Sequence, residues 1–532
     1  MRHVEMSIHF SEKCDPFTDE RSEPCERTGK EEQALLGEIA LSSLMQLSSQ
    51  YRTHVFSMLV FPKSVRFLRW DRAGVIVTRK IPLAQSGNLV ATFFHRLQFA
   101  SPCARGVDET ITTPRLSAEQ ETLIRQTLEV KDDVPLLQVT ISGRRFVFPN
   151  SAFFNTHFAR ATRCFRAYNL DAKMGESKRG VFKDSWRILR GKNEFERNEK
   201  LRRAGVSNIP RIWCGEDVLR DLRTGGGLYH RTRTQEYQHA PWTAVRSTSL
   251  HTFRHYRQVM EELEGPLTSC RNMKDVVTAL RDASQAEAEA YEKANIMHAD
   301  CGLSNVMIKY EGDQVRGYLI DWDMSQDLDD DPKWIGPVGQ WRFMAARIQS
   351  YEFWEQGQQQ DQVDDTETFF HDLVYVIVYY TRCDTWRMDH YFNGGEKKDG
   401  IWVGGERKIS SMGNEWPSIY SRIRCPRIQR LVKRLAVVLH SRYVAEGHNA
   451  DKGSSQEETR KNSTLLYSDP YWMSKVLTEE LEKAGWPEDK LIQGNDPAEM
   501  DPDEVLDWGE IADQMKRRAS DEGENRKKRR KR

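Results

Sequence analysis

Asp300 and Asn305 stand five residues apart in "HADCGLSNVMI", and Asp321 follows the apolar run "GYLI" sixteen residues beyond Asn305. Those residue types at that spacing suit phosphoryl transfer from ATP. One Asp orients an attacking hydroxyl, and an Asn and a second Asp grip Mg2+. The same chemistry needs a cation against the phosphates and an acid that holds the cation. Lys183, after the apolar pair Val181-Phe182 in "VFKDSW", can be that cation, and the next helical stretch offers Glu194, Glu196 and Glu199. Taken singly, each signal is weak. A strand lysine is more often a solvated edge charge, Asp and Asn abound in loops, and Asp-Trp-Asp is more often a turn. The order of the set carries the weight: strand Lys, helix Glu, strand, long helix, His-x-Asp-x-x-x-x-Asn, strand, Asp-x-Asp.

The elements that must position these groups follow from periodicity. "EEQALLGEIALSSLMQLSSQYR" has apolar residues at helical spacing. "HVFSMLVFPKSVRFLRWDRAGVIVTRKI" alternates, predicting strands with a turn at Asp71-Arg72-Ala73-Gly74. "SGNLVATFFHRLQFA" predicts a helix. "LLQVTISGRRFVFPN" predicts two strands about Ser142-Gly143, and "RGVFKDSWRIL" one more. "KNEFERNEKLRRAG" predicts a helix ended by Gly205. "FRHYRQVMEELEGPL" predicts a strand running into a Gly-Pro break. "NMKDVVTALRDASQAEAEAYEKAN" predicts a long helix, and "DDTETFFHDLVYVIVYYTR" a helix apolar on all sides.

Composition narrows the class. The 79 basic and 79 acidic side chains cancel, so no global field marks a nucleic-acid or membrane binder. Nine cysteines with no Cys-x-x-Cys pair argue against a disulfide framework and against a zinc site, and suit a reducing compartment. The start of the chain lacks a signal-peptide h-region, and "LVYVIVYY" is too short to span a bilayer. An intracellular protein is expected.

Several segments together resemble the fungal-type protein kinase family, a branch of the protein-kinase-like fold. "RFLRWDRAGVIVT" resembles its Arg-x-x-Arg-x-Asp-Arg-Ser-Gly segment, and "RGVDETI" (Arg105–Ile111) its Arg-Gly-x-Asp stretch. "VFKDSW", "HADCGLSNVMI" and "LIDWDM" resemble its lysine strand, catalytic loop and magnesium motif. "VGQWRFMAARI" and "DDTETFF" resemble later motifs. The likeness covers roughly residues 50–390.

The resemblance implies roles. Lys183 contacts the α- and β-phosphates, with Glu194 its helix partner. Asp300 accepts or orients the substrate hydroxyl. Asn305 and Asp321 hold Mg2+. Met260 to Gly265, with Glu261 and Leu263, form the hinge that reads adenine. Ala159, Ala161 and Thr162 lie in the phosphate-covering loop. Asp364 or Asp365 braces the catalytic loop. The departures are specific. That loop has Ala159 and Ala161 where the family tends to place Gly, and alanine takes positive φ only at a cost. Ala299 stands where many kinases have an Arg that receives an activation-loop phosphate, so that switch is not expected here. Gln340 replaces a Thr. His298 is expected to pack and hydrogen-bond, and Asp71 and Arg72 to cap a turn; a nuclease-like site there is the poorer reading.

The expected fold class is α+β: a two-lobed protein-kinase-like fold, small β-rich N-lobe and helical C-lobe, behind a small α+β N-terminal domain. The expected organisation is a disordered 1–30, an accessory domain at 31–130, an N-lobe at 137–264, a C-lobe at 265–447, and a mostly disordered 448–532 with one amphipathic helix. The expected activity is ATP- and Mg2+-dependent transfer to Ser/Thr hydroxyls of a protein substrate, with weakened turnover. Rival classes are a catalytically inactive pseudokinase scaffold and a small-molecule phosphotransferase of the aminoglycoside or choline kinase type. "GPVGQWRFMAARI" favours a protein substrate. The clusters Lys516–Arg518 and Arg526–Arg532 read as a nuclear-localisation patch. They imply a nuclear import receptor as partner and a nuclear or nucleocytoplasmic location; nucleic-acid binding is not expected beyond that tail.

Overall fold

The computed structural model describes residues 4–19, 26–150, 160–189, 191–219, 229–238, 240, 250–329, 339–380, 391–399, 401–413, 423, 425–445, 447, 455–486 and 491. The basic C-terminal clusters and Ala159 lie outside these. The chain is mixed α and β and divides into two compact units: Met1–Leu263 with Ile320–Asp323, and Glu264–Leu319 with Met324–Arg532. Among the described residues, no helix is long and apolar enough to cross a membrane.

Among the described residues, the first unit holds two sheets. In the smaller, the strands Met6–Phe10, Val55–Val60, Ser64–Asp71 and Gly74–Val77 lie in that order, with Ile81–Pro82 also pairing Ser64–Asp71. The alternation read from the sequence thus becomes adjacent antiparallel strands, and the helix Lys30–Ser49 packs Ile39 and Leu47 against Val55, Leu59, Leu68 and Trp70. The second sheet is antiparallel, in the order Ile212–Asp217, Phe253–Met260, Arg179–Ile188, Arg163–Asn169, Arg144–Pro149, Leu136–Ile141. One of its faces carries the aromatic cluster Phe146, Phe148, Phe165 and Phe182 with Val259.

The expectation of disorder before residue 31 does not hold throughout. Met6–Phe10 pairs in parallel with Val55–Val60, Phe17 is buried, and Asp15 accepts from Arg66 Nη2 at 2.8 Å. A five-residue strand inside a polar segment gives little periodic signal. What holds it is pairing with a strand far along the chain, and the segment after it is tied by an Asp15–Arg66 ion pair whose members are 51 positions apart.

The second unit is mainly helical. Met273–Ala294, Gln362–Tyr380 and Pro426–Ala445 are its long helices, with a small sheet of Gly265–Pro266, Val306–Glu311 and Gln314–Leu319. Among the described residues after 448 there are two helices, Gln456–Ser468 and Trp472–Leu481, where one was expected. The segment "SSQEETRKNS" reads as loop by composition. Yet Ser455 caps it by accepting from Glu458 N at 3.1 Å, and Leu466 is buried.

Candidate active site

The strand Arg179–Ile188 sorts its side chains by alternation. Phe182, Asp184 and Trp186 share one face, and Lys183 takes the other. Lys183 Nζ lies 2.7 Å from Glu194 Oε2, and both side chains are 3% exposed. Glu194 is the partner because of how its helix begins. Asn193 is the N-cap, and Glu196 closes a capping box with it, each side chain receiving the other's backbone N–H. That occupies Glu196. Glu199 faces Arg203. Glu194, the first helical residue, is left to meet the lysine, and Leu201, seven residues on, is fully buried.

Lys183 Nζ also lies 2.7 Å from Asp321 Oδ1. Asp321 has φ 62°, a left-handed conformation unusual for a non-glycine residue. Backbone beyond it is held by Arg197, whose Nη1 donates to the carbonyls of Trp322, at 3.3 Å, and Asp323. Trp322 is buried. Burial by itself would depress the Lys183 ammonium, but the carboxylates of Asp321, Glu194 and Asp323 hold it above the ordinary lysine range. The lysine is therefore a fixed cation at physiological pH.

Arg160 was not singled out by sequence. Its Nη2 lies 3.0 Å from Asp321 Oδ1 and 3.2 Å from Asp323 Oδ2. Its neighbour Ala161 has φ 43°, so alanine adopts the left-handed conformation that a glycine would take at less cost. Thr162 follows and leads into the strand Arg163–Asn169. Nothing but its place beside Ala161 in the sequence could have pointed to Arg160.

In the second unit, Asn305 Nδ2 donates to the carbonyl of Asp300 at 2.7 Å, which closes the catalytic-type loop. His298, fully buried, accepts at Nδ1 from Asp300 N at 3.2 Å. Its role is to shape the loop, not to ligate. Ala299 has φ 65°. The loop is braced by the helix Gln362–Tyr380 and the residues before it: Asp365 Oδ2 accepts from Ala299 N at 2.8 Å, and Gln360 Nε2 donates to the Ala299 carbonyl at 3.0 Å. Asp364 does something else, accepting from Arg347 and Arg442. Burial raises the Asp365 carboxyl to about 7, against the opposing pull of the Ala299 N–H. Gln340 donates to Ser304 Oγ at 2.7 Å, within the same loop.

The structure thus joins Lys183, Glu194 and Asp321 in one unit, and Asp300 with Asn305 in the other. Of the expected adenine-reading residues, Glu261 exchanges two bonds with Arg211: its N donates to the Arg211 carbonyl at 3.0 Å, and its Oε1 accepts from Arg211 N at 2.7 Å. Leu263 is half-buried.

The opposite face of the lysine strand carries a buried polar network that sequence reasoning missed. Asp184 accepts from Arg163, from Arg257 Nε at 2.7 Å and from His255 Nε2 at 2.7 Å. Arg257 also donates to Asp108. Asp71, as expected, caps: its Oδ2 accepts from Arg233 N and Thr234 N at 2.8 and 3.0 Å, and its Oδ1 from Ala73 N. The five acidic and basic members of that network lie in segments up to 149 positions apart, although the Arg-Gly-x-Asp likeness at Arg105–Asp108 had marked one of them.

The profile of the fungal protein kinases matches residues 22–379. No curated protein matches the chain.

Proposed function

The chain belongs to the fungal protein kinase family, and from that premise we propose that it transfers the γ-phosphoryl group of ATP, with Mg2+, to Ser or Thr hydroxyls of a protein substrate. The observation that carries this reading is Lys183 Nζ set 2.7 Å from both Glu194 and Asp321. A buried cation needs its charge partnered. One partner here is a carboxylate committed to the lysine, and the other is a carboxylate that remains 20% exposed.

The donor set fits the expected ligands. Asp321 collects two cationic groups, Lys183 and Arg160, as a strong cation seat does, and carboxylate and carboxamide oxygens are what Mg2+ prefers. The family likeness assigns the metal to Asp321, in the first unit, and to Asn305, in the second. Lys183 would meet the phosphates, and Ala161 and Thr162 belong to the phosphate-covering loop that the family likeness implies. Bound Mg·ATP supplies the electrophilic phosphoryl group and neutralises its charge. Asp300 orients the hydroxyl and accepts its proton, held in place through its carbonyl by Asn305 and through the loop by Asp365. Glu194 keeps Lys183 extended and charged. Arg197 fixes the backbone of Trp322 and Asp323, and so the turn from which Asp321 projects.

A second reading, a pseudokinase that retains the pocket without turnover, draws on Arg160. Its guanidinium occupies the carboxylates that a metal would use, and the glycines that ease loop closure are absent. Thermal unfolding with millimolar Mg·ATP tests binding. The wild-type midpoint should rise by mass action. Lys183→Ala and Asp321→Asn should abolish the rise. A wild-type midpoint that does not move removes the nucleotide-binding reading altogether.

A further inference from the structure

Asp108, His230 and His255 point side-chain ligand atoms at one another inside the first unit, and all three are buried. The two imidazole Nδ1 atoms are 3.4 Å apart. The Asp108 carboxylate oxygens stand 4.0 Å from His230 Nδ1 and 3.9 Å from His255 Nδ1. A tetrahedral Zn2+ with bonds of about 2.0–2.1 Å sets its ligand atoms about 3.3 Å apart. The His–His edge already has that length; each Asp108 oxygen stands about 0.6–0.7 Å too far from the imidazole nitrogen it faces, so one carboxylate oxygen must swing inward on binding, within a set of ligand atoms that lie inside 4.8 Å of one another.

The surroundings prepare these atoms to ligate. His255 Nε2 lies 2.7 Å from Asp184 Oδ1, and a carboxylate accepts, so that nitrogen carries the proton and Nδ1 keeps its lone pair. A carboxylate behind a histidine in this way is the usual support of a metal-bound imidazole. Trp186 stacks on the His255 ring at 4.6 Å and fixes its plane. Backbone bonds hold the two histidines in register: His255 N donates to the His230 carbonyl, and His230 N to that of Val218, at 2.9 and 2.8 Å. Asp108 is held by Arg257 on one oxygen and by Thr110 N and Oγ1 on the other, at 3.0 and 2.5 Å.

We propose that Asp108, His230 and His255 form a structural Zn2+ site that ties the Tyr229–Thr234 segment and the Asp108 loop to the second sheet. Three protein ligands leave one position of the ion for a water. On binding, His230 changes to its Nε2–H tautomer, because its Nδ1 must present a lone pair. Since the scattered cysteines argued against zinc, the site is one that a cysteine census cannot find; it is built of two imidazoles and a carboxylate. The competing occupant is a single proton bridging the two Nδ1 atoms, which Arg257 makes feasible by already neutralising Asp108. This site is separate from the phosphoryl-transfer residues and does not depend on the kinase reading.

The test is metal analysis of the full-length protein purified without added chelator, with Zn2+ alone as the probe in reconstitution. The expected result is one zinc per chain, and, after exchange for Co2+, the intense visible absorption of a tetrahedral ion. His230→Gln should lose both. Because that variant could lose metal by misfolding, far-UV circular dichroism is recorded with it. As a second measurement, chelator-treated wild type should regain its unfolding midpoint on adding Zn2+. A folded wild type with no bound metal and no response to Zn2+ or Co2+ overturns the proposal. So does zinc that His230→Gln retains in full.

Discussion

The Lys183–Glu194 pair permits a quantitative test that needs no substrate. Lys183→Met replaces a buried ammonium by an apolar chain of similar length. The partner left behind, Glu194, is as buried as the lysine was, at 3% exposure. Breaking a buried pair from one side costs about 3–5 kcal/mol. Two features reduce that here. Asp321 keeps Arg160 at 3.0 Å, and Glu194 can escape its charge by taking up a proton, at about 1.4 kcal/mol per pH unit. A loss of about 2–4 kcal/mol is expected at pH 8, and a smaller one at pH 6. Glu194→Gln in the Lys183→Met background removes the stranded charge and should recover much of the loss. The double-mutant cycle should give a coupling of about 1–3 kcal/mol. Urea unfolding of the four proteins, followed by circular dichroism, supplies the numbers. A coupling below about 0.5 kcal/mol, or a Lys183→Met loss that does not shrink toward pH 6, would refute the buried pair and with it the fixed-cation role of Lys183.

Three other expectations follow, two from the geometry and the third from the sequence. Arg160→Ala vacates Asp321 and Asp323, so Mg2+ should stabilise the nucleotide complex at a several-fold lower concentration in a titration followed by unfolding midpoint; an unchanged or raised requirement means Arg160 does not compete with the metal. Burial raises Asp365 to about 7 and Glu287 well above the usual carboxylate range, with the Asp365 charge adding to the Glu287 shift. The folded unit then binds protons more tightly than the unfolded chain, so their contribution is full below about pH 4 and is lost as pH rises through about 7. Glu287→Gln should flatten that fall in unfolding curves across the range, and an unaltered slope would dismiss the pair as its source. Deleting residues 516–532 should shift a fluorescent fusion from nucleus to cytoplasm, and an unmoved fusion denies the basic tail an import role.

The sequence made some of this legible and hid the rest for physical reasons. Alternation in "VFKDSW" places Lys183 and Asp184 on opposite faces, so the lysine strand could be read from period alone. The choice among Glu194, Glu196 and Glu199 could not be made from helical spacing, yet the capping box Asn193–Glu196 was a local signal that assigns Glu196 elsewhere. Between Asp364 and Asp365 there was no such signal; adjacent residues on a helix differ by a turn of direction that only packing fixes. The network of Asp108, Asp184, Arg257 and His255 was hidden because its members meet across 71 to 149 positions. The strand Met6–Phe10 and the helix Gln456–Ser468 were read as disorder and loop because tertiary contacts override weak local propensity.

The central claim is that this chain moves a phosphoryl group, with Asp300 as the residue that positions the accepting hydroxyl. Radiolabelled transfer from γ-labelled ATP into a mixture of protein substrates, comparing wild type with Asp300→Asn, tests it most directly. The substitution keeps size and leaves the Asn305 bond to the residue's carbonyl intact. The account predicts Mg2+-dependent label on Ser and Thr for the wild type, Mg·ATP binding near wild type in the variant, and transfer lower by about 10²–10⁴. Equal transfer by both proteins, or no transfer by a wild type that binds Mg·ATP, would contradict it.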